Sequence, residues 1–210
     1  MIITIDGPAA SGKSSIADEL AKHLGLPCLH TGLLYRAIAY ISANSVPSLQ
    51  NLEYAYRDGK PIILYNGTDI TPHLSSTEIA NATSALSAKP EIRELLYQHF
   101  FKPYGEHKNF VTEGRDCGTV LYPHADVKIF LTASIEKRAE RMLDDKNRNT
   151  ALREQAISNL QKRDERDSTR AVAPLKPSPD AVIIDSSALT FEQTVQACLD
   201  TIAASASSSS

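Results

Sequence analysis

The sequence contains no tryptophan, only three cysteines and no long apolar segment. The cysteines stand at positions 28, 117 and 198 and form no Cys-x-x-Cys pair. This argues against a structural zinc site or a disulfide framework and favours reduced thiols, as in cytosolic proteins. No stretch approaches the roughly 20 apolar residues of a membrane helix. The apolar run at residues 1–5 lacks the basic leader of a signal peptide, so we expect a cytoplasmic protein.

An excess of charge of one sign is also missing. Lys and Arg number 22 against 25 Asp and Glu, a net charge of −3. This balance gives no basic footprint for duplex nucleic acid, so we expect neither a nucleic-acid polymer nor a membrane as partner. A chain of 210 residues can bury a core without disulfides and suits one domain with an insertion. A monomer is the default expectation.

Strand-like and helix-like segments alternate along the chain, which predicts an α/β fold with a parallel sheet flanked by helices. Apolar and β-branched runs predict strands at residues 2–5, 28–29, 110–112, 127–131 and 181–184. Helical spacing predicts helices from Ser14 to Gly25, then over 33–43, 134–143 (with Ser134 as N-cap), 151–166 and 190–203. The Ala/Ser-only end, residues 203–210, is expected to be disordered.

The segment between about residues 44 and 90 breaks this alternation. The run Ile62-Ile63-Leu64-Tyr65 is followed by Asn66-Gly67, a strong signal for a β-hairpin. A small antiparallel piece inserted into the α/β core is the prediction.

The strongest motif, G-x-x-x-x-G-K-[ST], lies between the first predicted strand and the first predicted helix, the context of a phosphate-binding loop. Glycines let the backbone turn its N–H groups toward phosphate oxygens, and the helix start adds a positive dipole end. Lys13 supplies a charge, expected on the surface of the turn, and the Ser14 hydroxyl suits Mg²⁺. ATP and Mg²⁺ are therefore the expected cofactors, and the nucleotide-binding residues are Gly7, Pro8, Ala9, Ala10, Ser11, Gly12, Lys13, Ser14 and Ser15.

The loop alone leaves two classes open, a small-molecule kinase and a hydrolysing switch or motor. The second class usually has a Mg²⁺-binding Asp at the end of a hydrophobic strand, whereas the strand at 110–112 runs into Glu113. A kinase must also hold an anionic acceptor, for which arginine is favoured. Arg36 and Arg115 follow Gly-containing turns, and Arg138 and Arg141 lie three apart on one helix, so both can face one site. Cys117 is interpreted as a packing position and not a nucleophile.

With these segments the sequence resembles the bacterial cytidylate kinase family. The resemblance rests on Ile5 to Ser14, on Thr31-Gly32-Leu33-Leu34-Tyr35-Arg36 and on Ile79-Ala80-Asn81-Ala82-Thr83-Ser84. It continues through Glu113-Gly114-Arg115-Asp116-Cys117-Gly118-Thr119-Val120, Asp126 to Leu131, Arg163-Asp164-Glu165-Arg166-Asp167 and Arg170-Ala171-Val172-Ala173-Pro174-Leu175.

The resemblance implies a P-loop core at residues 1–36, 97–141 and 159–204, an acceptor-binding insertion at 37–96, a lid at 142–158 and a disordered tail at 205–210. It implies ATP-dependent phosphorylation of CMP and dCMP, with Lys13, Arg115, Arg138 and Arg141 as catalytic cations. Lid residues Arg148 or Arg153 would join them at the ATP phosphates. The acceptor contacts it implies are Thr31, Arg36, Ser84, Arg93, Arg115, Asp116, Arg163, Asp167 and Arg170. Asp116 would read cytosine, or alternatively only pair with Arg115.

His30 stands where the family often has an acidic residue, and we expect it to be structural or at the surface. Another small-molecule kinase, for example one acting on shikimate or a different nucleotide, remains an alternative. A nucleotide-binding regulatory protein with weak hydrolysis is a second alternative.

Overall fold

The structure is a computed structural model that describes residues 1–44, 49–57, 59–106, 109–143 and 150–207. Its contacts divide the chain into two units, Met1–Leu29 with His107–Ser210 and His30–Glu106. The insertion predicted at residues 37–96 falls inside the second unit, and its boundaries remain predictions.

The strands are β1 (Ile2–Asp6), β2 (Cys28–His30), β3 (Leu52–Arg57), β4 (Lys60–Tyr65), β5 (Thr68–Asp69), β6 (Phe110–Gly114), β7 (Val127–Thr132) and β8 (Val182–Asp185). The α-helices are α1 (Lys13–Leu24), α2 (Thr31–Asn44), α3 (Thr77–Leu86), α4 (Pro90–Leu96), α5 (Lys102–Gly105), α6 (Ile135–Met142), α7 (Thr150–Thr169) and α8 (Phe191–Ser207). Short 3₁₀ turns span Leu49–Asn51 and Thr71–His73, and single π-helical turns span Tyr97–Phe101 and Cys117–Leu121.

The first unit is built on a five-stranded sheet in the order β2-β6-β1-β7-β8. The central strand β1 pairs in parallel with β6 and β7, and β7 pairs in parallel with β8. Ile3, Thr4 and Ile5 are all fully buried, so both faces of this central strand are covered, as is usual for a parallel sheet. The predicted α/β class with a parallel sheet is therefore confirmed.

The core of this unit lies where the sheet meets helices α1 and α8. Ile16 and Leu20 of α1 share one buried cluster with Ile5, Ile129 and Cys198. Burying each such aliphatic side chain contributes about 1.5–3 kcal/mol. At its C-terminal end α1 stops at Gly25, which adopts a left-handed conformation and caps the helix, as predicted.

The second unit contains an antiparallel sheet in the order β3-β4-β5 beside helices α2 to α5. Asn66 and Gly67 have φ angles of 51° and 74° and form the predicted hairpin turn between β4 and β5. Arg57 Nη1 contacts Asp69 Oδ2 at 3.0 Å across this sheet. The prediction of a small antiparallel piece is confirmed.

The C-terminal helix is longer than predicted. Helix α8 continues to Ser207, so residues 205–207 are helical and not the disordered tail expected, while 208–210 lie outside the described residues. The error arose because an Ala/Ser composition was taken as a sign of disorder, although alanine has the highest helix propensity. Ile202 is anchored in the core, and the Ser205 hydroxyl donates to the Thr201 carbonyl at 3.1 Å.

Candidate active site

The loop between β1 and α1 makes a tight reversal against the neighbouring strand β7. Gly7, Ala10 and Gly12 all have positive φ angles, of 153°, 59° and 91°. A Cβ atom at Gly7 would overlap the carbonyl oxygen of Leu131, so glycine is required there. Such a turn before a helix start is the geometry that directs backbone N–H groups at an anion.

Lys13 is buried and not exposed on the turn, which corrects the expectation from the sequence. Its ammonium folds back over the loop and donates to the Pro8 carbonyl at 2.7 Å and to the Ser11 hydroxyl at 3.3 Å. Burial, followed by the positive charge of Arg115, lowers the pKa of Lys13 from 10.5 to about 7. An anion placed beside this amine would oppose both effects and favour its charged form.

Two oxygen groups meet at the start of α1. The Ser14 hydroxyl donates to Glu113 Oε1 at 3.1 Å, and the Glu113 side chain at the end of β6 is itself buried. Hydroxyl and carboxylate oxygens are hard ligands of the kind that Mg²⁺ prefers. The donor set therefore fits the predicted metal, and Glu113 offers a second oxygen that the sequence argument did not assign.

Asp6, the last residue of β1, connects the end of this strand to the turn that follows β6. Its carboxylate accepts the backbone N–H groups of Cys117 at 2.8 Å and Gly118 at 2.7 Å. Burial raises the pKa of Asp6 to about 6, against the opposing effect of these two hydrogen bonds and of Lys13. The sequence argument missed this residue, although an acidic residue at the end of a buried strand was a visible signal.

Cys117 is a packing residue, as predicted. It is fully buried, and its thiol lies 3.8 Å from the Thr112 hydroxyl. Burial raises the pKa of this thiol well above its ordinary value, which disfavours the thiolate that a nucleophile needs.

Two ion pairs join residues that were predicted to contact the acceptor. In each pair, one residue comes from the end of helix α7 or just after it, and the other follows strand β6. Arg115 donates through Nε to Asp167 at 3.1 Å, and Arg170 donates through Nη2 to Asp116 at 3.2 Å. The carboxylate that orients Arg115 is therefore Asp167 and not Asp116, which corrects one of the two alternatives from the sequence. Arg163 lies one helical turn before Asp167 and is half-buried.

Arg138 and Arg141, both on α6, reach carbonyl groups of the phosphate-binding loop. Arg138 donates to the Ala9 carbonyl at 3.1 Å, and Arg141 donates to the Ser11 carbonyl at 3.1 Å. Arg141 also donates to the Ser186 carbonyl at 2.9 Å, beyond the end of β8. Of the two lid arginines, Arg153 contacts Glu140 Oε1 at 3.4 Å, whereas Arg148 lies outside the described residues.

A cavity of about 580 Å³ opens beside the loop within the first unit. The loop and Arg141 line one side, and apolar groups together with Lys137 and three residues that carry hydroxyls line the remainder. Its lining residues are Ala10, Ser11, Gly12, Ser15, Ile16, Lys137, Arg141, Met142, Ser186, Leu189, Phe191 and Thr194. Mostly apolar walls with a few polar groups suit a planar heterocycle.

The second unit contains four of the residues predicted to contact the acceptor, and each of them is partly or fully buried. Arg93 is buried, donates to the Ser87 carbonyl at 3.2 Å and lies 5.8 Å from the centre of the Tyr35 ring. Arg36 donates to the Leu74 carbonyl at 2.7 Å, and Thr31 and Ser84 are buried. His30 is buried too, and its backbone N–H donates to the Tyr54 hydroxyl at 3.1 Å, which fits a structural role.

The sequence is similar to known proteins over nearly its whole length. Residues 3–204 match the family model described as Cytidylate kinase. The chain is 41% identical over 209 residues to the cytidylate kinase of Chlamydia pneumoniae, covering 95% of this chain and 96% of that protein. It is 43% identical over 201 residues to the cytidylate kinase of Methylocella silvestris, covering 95% and 92%.

The chain belongs to the cytidylate kinase family. The resemblance inferred from the sequence is thereby confirmed over nearly the whole chain. Among solved structures, the chain is similar in fold to an uncharacterized protein from Eubacterium ventriosum. The match has a TM-score of 0.56 and 14% identity, and it covers 97% of this chain and 98% of that one. At that identity it supports the fold alone.

Among the described residues, no helix is long and apolar enough to cross a membrane.

Proposed function

We propose that this protein transfers the terminal phosphoryl group of ATP to CMP and dCMP, giving ADP with CDP or dCDP. The observation that carries the proposal is the phosphate-binding loop with its buried Lys13, in a chain of the cytidylate kinase family. The loop is the proposed binding site for the phosphoryl donor, and membership of the family indicates the class of phosphoryl acceptor.

The donor side is proposed to lie along the loop of the first unit. The ATP phosphates would lie against the loop N–H groups and Lys13, and the adenine would enter the cavity lined by Leu189 and Phe191. Ser14 and Glu113 would hold Mg²⁺, which when bound neutralises charge on the phosphates. Arg141 lies between the cavity and the loop, so its guanidinium is positioned to face the nucleotide.

The acceptor contacts are proposed residue by residue. Arg115, oriented by Asp167, would meet the CMP phosphate, and Asp116 would meet the base. Arg163, Asp167 and Arg170 would complete the contacts from the first unit. The second unit would contribute Thr31, Arg36, Ser84 and Arg93, each of which is partly or fully buried there.

Phosphoryl transfer needs little covalent help from these residues. The attacking oxygen belongs to a phosphate that is already ionised, so no general base is required. Rate enhancement comes from aligning two anions and from cations that stabilise the charge of the transition state. The side chains of the first unit proposed for that role are Lys13, Arg115, Arg138 and Arg141, and exclusion of water prevents wasteful hydrolysis.

A panel of acceptors with ATP tests the proposal. The expected result is fast transfer to CMP and dCMP, slower transfer to UMP and none to shikimate. Slow ADP release that is independent of any acceptor would instead indicate a regulatory nucleotide-binding protein and would overturn the proposal.

A further inference from the structure

The ion pair between Arg138 and Asp164 holds the backbone of one residue of the phosphate-binding loop, Ala9, on both sides. Arg138 Nη1 lies 2.6 Å from Asp164 Oδ2 and also donates to the Ala9 carbonyl at 3.1 Å. The other carboxylate oxygen of Asp164 accepts a long hydrogen bond of 3.4 Å from the Ala9 N–H. Both polar groups of the Ala9 backbone are therefore held by the two members of a single ion pair.

The same loop residue is also held by apolar packing. Ala9 shares a small buried cluster with Ala139 of α6 and with Ala156 and Leu160 of α7. Arg138 is fixed from its other end, because its Nε donates to the Ala133 carbonyl at 3.0 Å. Helices α6 and α7 thus set the position of Ala9 through two independent kinds of contact.

Ala9 is a critical place to hold the loop. It directly precedes Ala10, whose φ angle of 59° is unusual for a residue other than glycine. That conformation persists only where its surroundings enforce it. The charge-assisted contact of 2.6 Å is short and partly buried, so it can enforce this conformation, and such ion pairs can select one conformation even where they add little net stability.

We propose that Arg138 and Asp164 are positioning residues for phosphoryl transfer, which hold the Ala9 backbone so that the loop is preformed for the donor phosphates. This inference rests on the proposed kinase function and replaces direct contact between Arg138 and ATP by an indirect role. One turn along α7, Asp167 orients Arg115. A single turn of α7 therefore fixes the donor loop through Asp164 and an acceptor cation through Asp167.

The test compares Asp164→Asn with Glu140→Gln. Asparagine keeps the shape of Asp164 but cannot accept from both Arg138 and the Ala9 N–H with two carboxylate oxygens. Glu140→Gln is the matched control, since it likewise neutralises one carboxylate, the partner of Arg153, in an ion pair that also joins α6 to α7 but does not touch the loop. CMP-dependent transfer by the wild type is measured first, so failure of the proposed function is recognised separately.

The expected result is a fall in kcat of about tenfold to a hundredfold for Asp164→Asn, because a small misplacement of reacting groups costs that much. The Kd for CMP, measured by calorimetry, should not change, and Glu140→Gln should match the wild type in both quantities. A purely structural ion pair would lower the thermal midpoint and leave kcat of the folded protein unaltered, and that outcome would overturn the proposal.

Arg138→Lys is the second variant, and it decides the question if Asp164→Asn does not fold. Lysine keeps a charge beside Asp164 but offers one nitrogen in place of the guanidinium fork that serves Ala133, Ala9 and Asp164. We expect a folded protein with kcat lowered as in Asp164→Asn, and with no further loss when both changes are combined. Wild-type kcat in folded Arg138→Lys, or losses that multiply in the double variant, would contradict a shared positioning role.

Discussion

The guanidinium of Arg170 donates to Oδ1 of Asp116 at 3.2 Å, and these side chains are only 5% and 7% exposed. Arg170 lies just beyond α7 and Asp116 just beyond β6, so the pair joins two segments far apart in the sequence. Arg170 is also held by the Ala173 carbonyl, to which its Nε donates at 2.6 Å. One carboxylate oxygen of Asp116 is thereby oriented by a fixed arginine.

The first prediction concerns the choice of base by Asp116. Cytosine presents an amino donor at C4, whereas uracil presents a carbonyl there, so a carboxylate at that edge favours cytosine. Asp116→Asn can turn an amide donor toward uracil and should narrow the ratio of kcat/KM for CMP over UMP. Such matched polar groups can discriminate between two substrates by roughly 10⁴-fold. Even a partial loss of the preference for CMP is therefore measurable at saturating ATP.

Asp167→Asn provides the control for this prediction. It removes the other buried carboxylate that pairs with an arginine, here Arg115, and should lower activity on both acceptors without changing their ratio. If Asp116→Asn behaves in the same way, Asp116 is only an ion-pair partner of Arg170 and does not read the base.

The second prediction is that Lys13→Met lowers kcat at least a hundredfold while leaving the protein folded. The loss reflects the removal of a cation that stabilises the transition state. Without nucleotide, the variant should even be more stable than the wild type at pH 6, by on the order of a few kcal/mol, because a buried charge is removed. Urea unfolding and turnover, measured on the same preparations, test both parts.

The pH dependence of that stability follows from the lowered pKa. Between about pH 7 and 10.5 the unfolded chain holds a proton on Lys13 that the folded protein lacks, so the free energy of unfolding rises with pH through this window. Lys13→Met should lose that rise. If the free energy of unfolding changed with pH in the same way for the wild type and for Lys13→Met over pH 7–10, Lys13 would not be a buried amine with a lowered pKa.

The third prediction is that ATP binding protonates Lys13 above pH 7. Phosphate charge stabilises the ammonium, so the affinity of the wild type for ATP should fall about tenfold per pH unit above the pKa of Lys13. Calorimetry at pH 8 in two buffers of different ionisation enthalpy should then detect proton uptake. Lys13→Met is the control, since ionisation of ATP itself is common to both proteins and only the Lys13 contribution disappears.

Local features of the fold were predictable because they depend on neighbouring residues. The β1–loop–α1 unit follows from a buried strand, a glycine-rich turn and a helical repeat. The hairpin follows from Asn66-Gly67, whose residues tolerate positive φ angles. The bounds of the elements that were predicted differ by only a few residues, most of all at the end of α8, whereas β3 and helices α3 to α5 had no individual prediction.

The pairing of distant side chains was not predictable in this way. Asp6 contacts the backbone of Gly118 across 112 positions of sequence, and Arg138 contacts Ala9 across 129. No periodicity or spacing encodes such pairs, which arise when strands and helices come together. The burial of Lys13 was missed because its long side chain folds back over the Pro8 carbonyl, a choice of side-chain conformation that sequence pattern does not determine.

The fourth prediction concerns the close approach of Gly118 to β1. A Cβ atom at Gly118 would lie 2.8 Å from the Thr4 hydroxyl, 3.3 Å from Lys128 Cδ and 3.4 Å from Asp6 Oδ2. Thr4 is fully buried, and its hydroxyl has no hydrogen-bond partner among the residues that the structure describes. Gly118→Ala should therefore lower the free energy of unfolding by about 1–3 kcal/mol, the usual cost of overpacking.

Two further variants show whether this contact with Thr4 is the cause. Thr4→Ala removes the nearest obstructing atom, so Gly118→Ala should cost less in the Thr4→Ala background than in the wild type. Gly32→Ala is the matched control, because nothing lies within 4 Å of a Cβ there and its helical position should gain about 0.4–1 kcal/mol. Denaturant unfolding of all four variants measures these differences. An equal cost of Gly118→Ala in both backgrounds would show that the Thr4 hydroxyl is not the atom that obstructs the added methyl group, and would contradict this explanation.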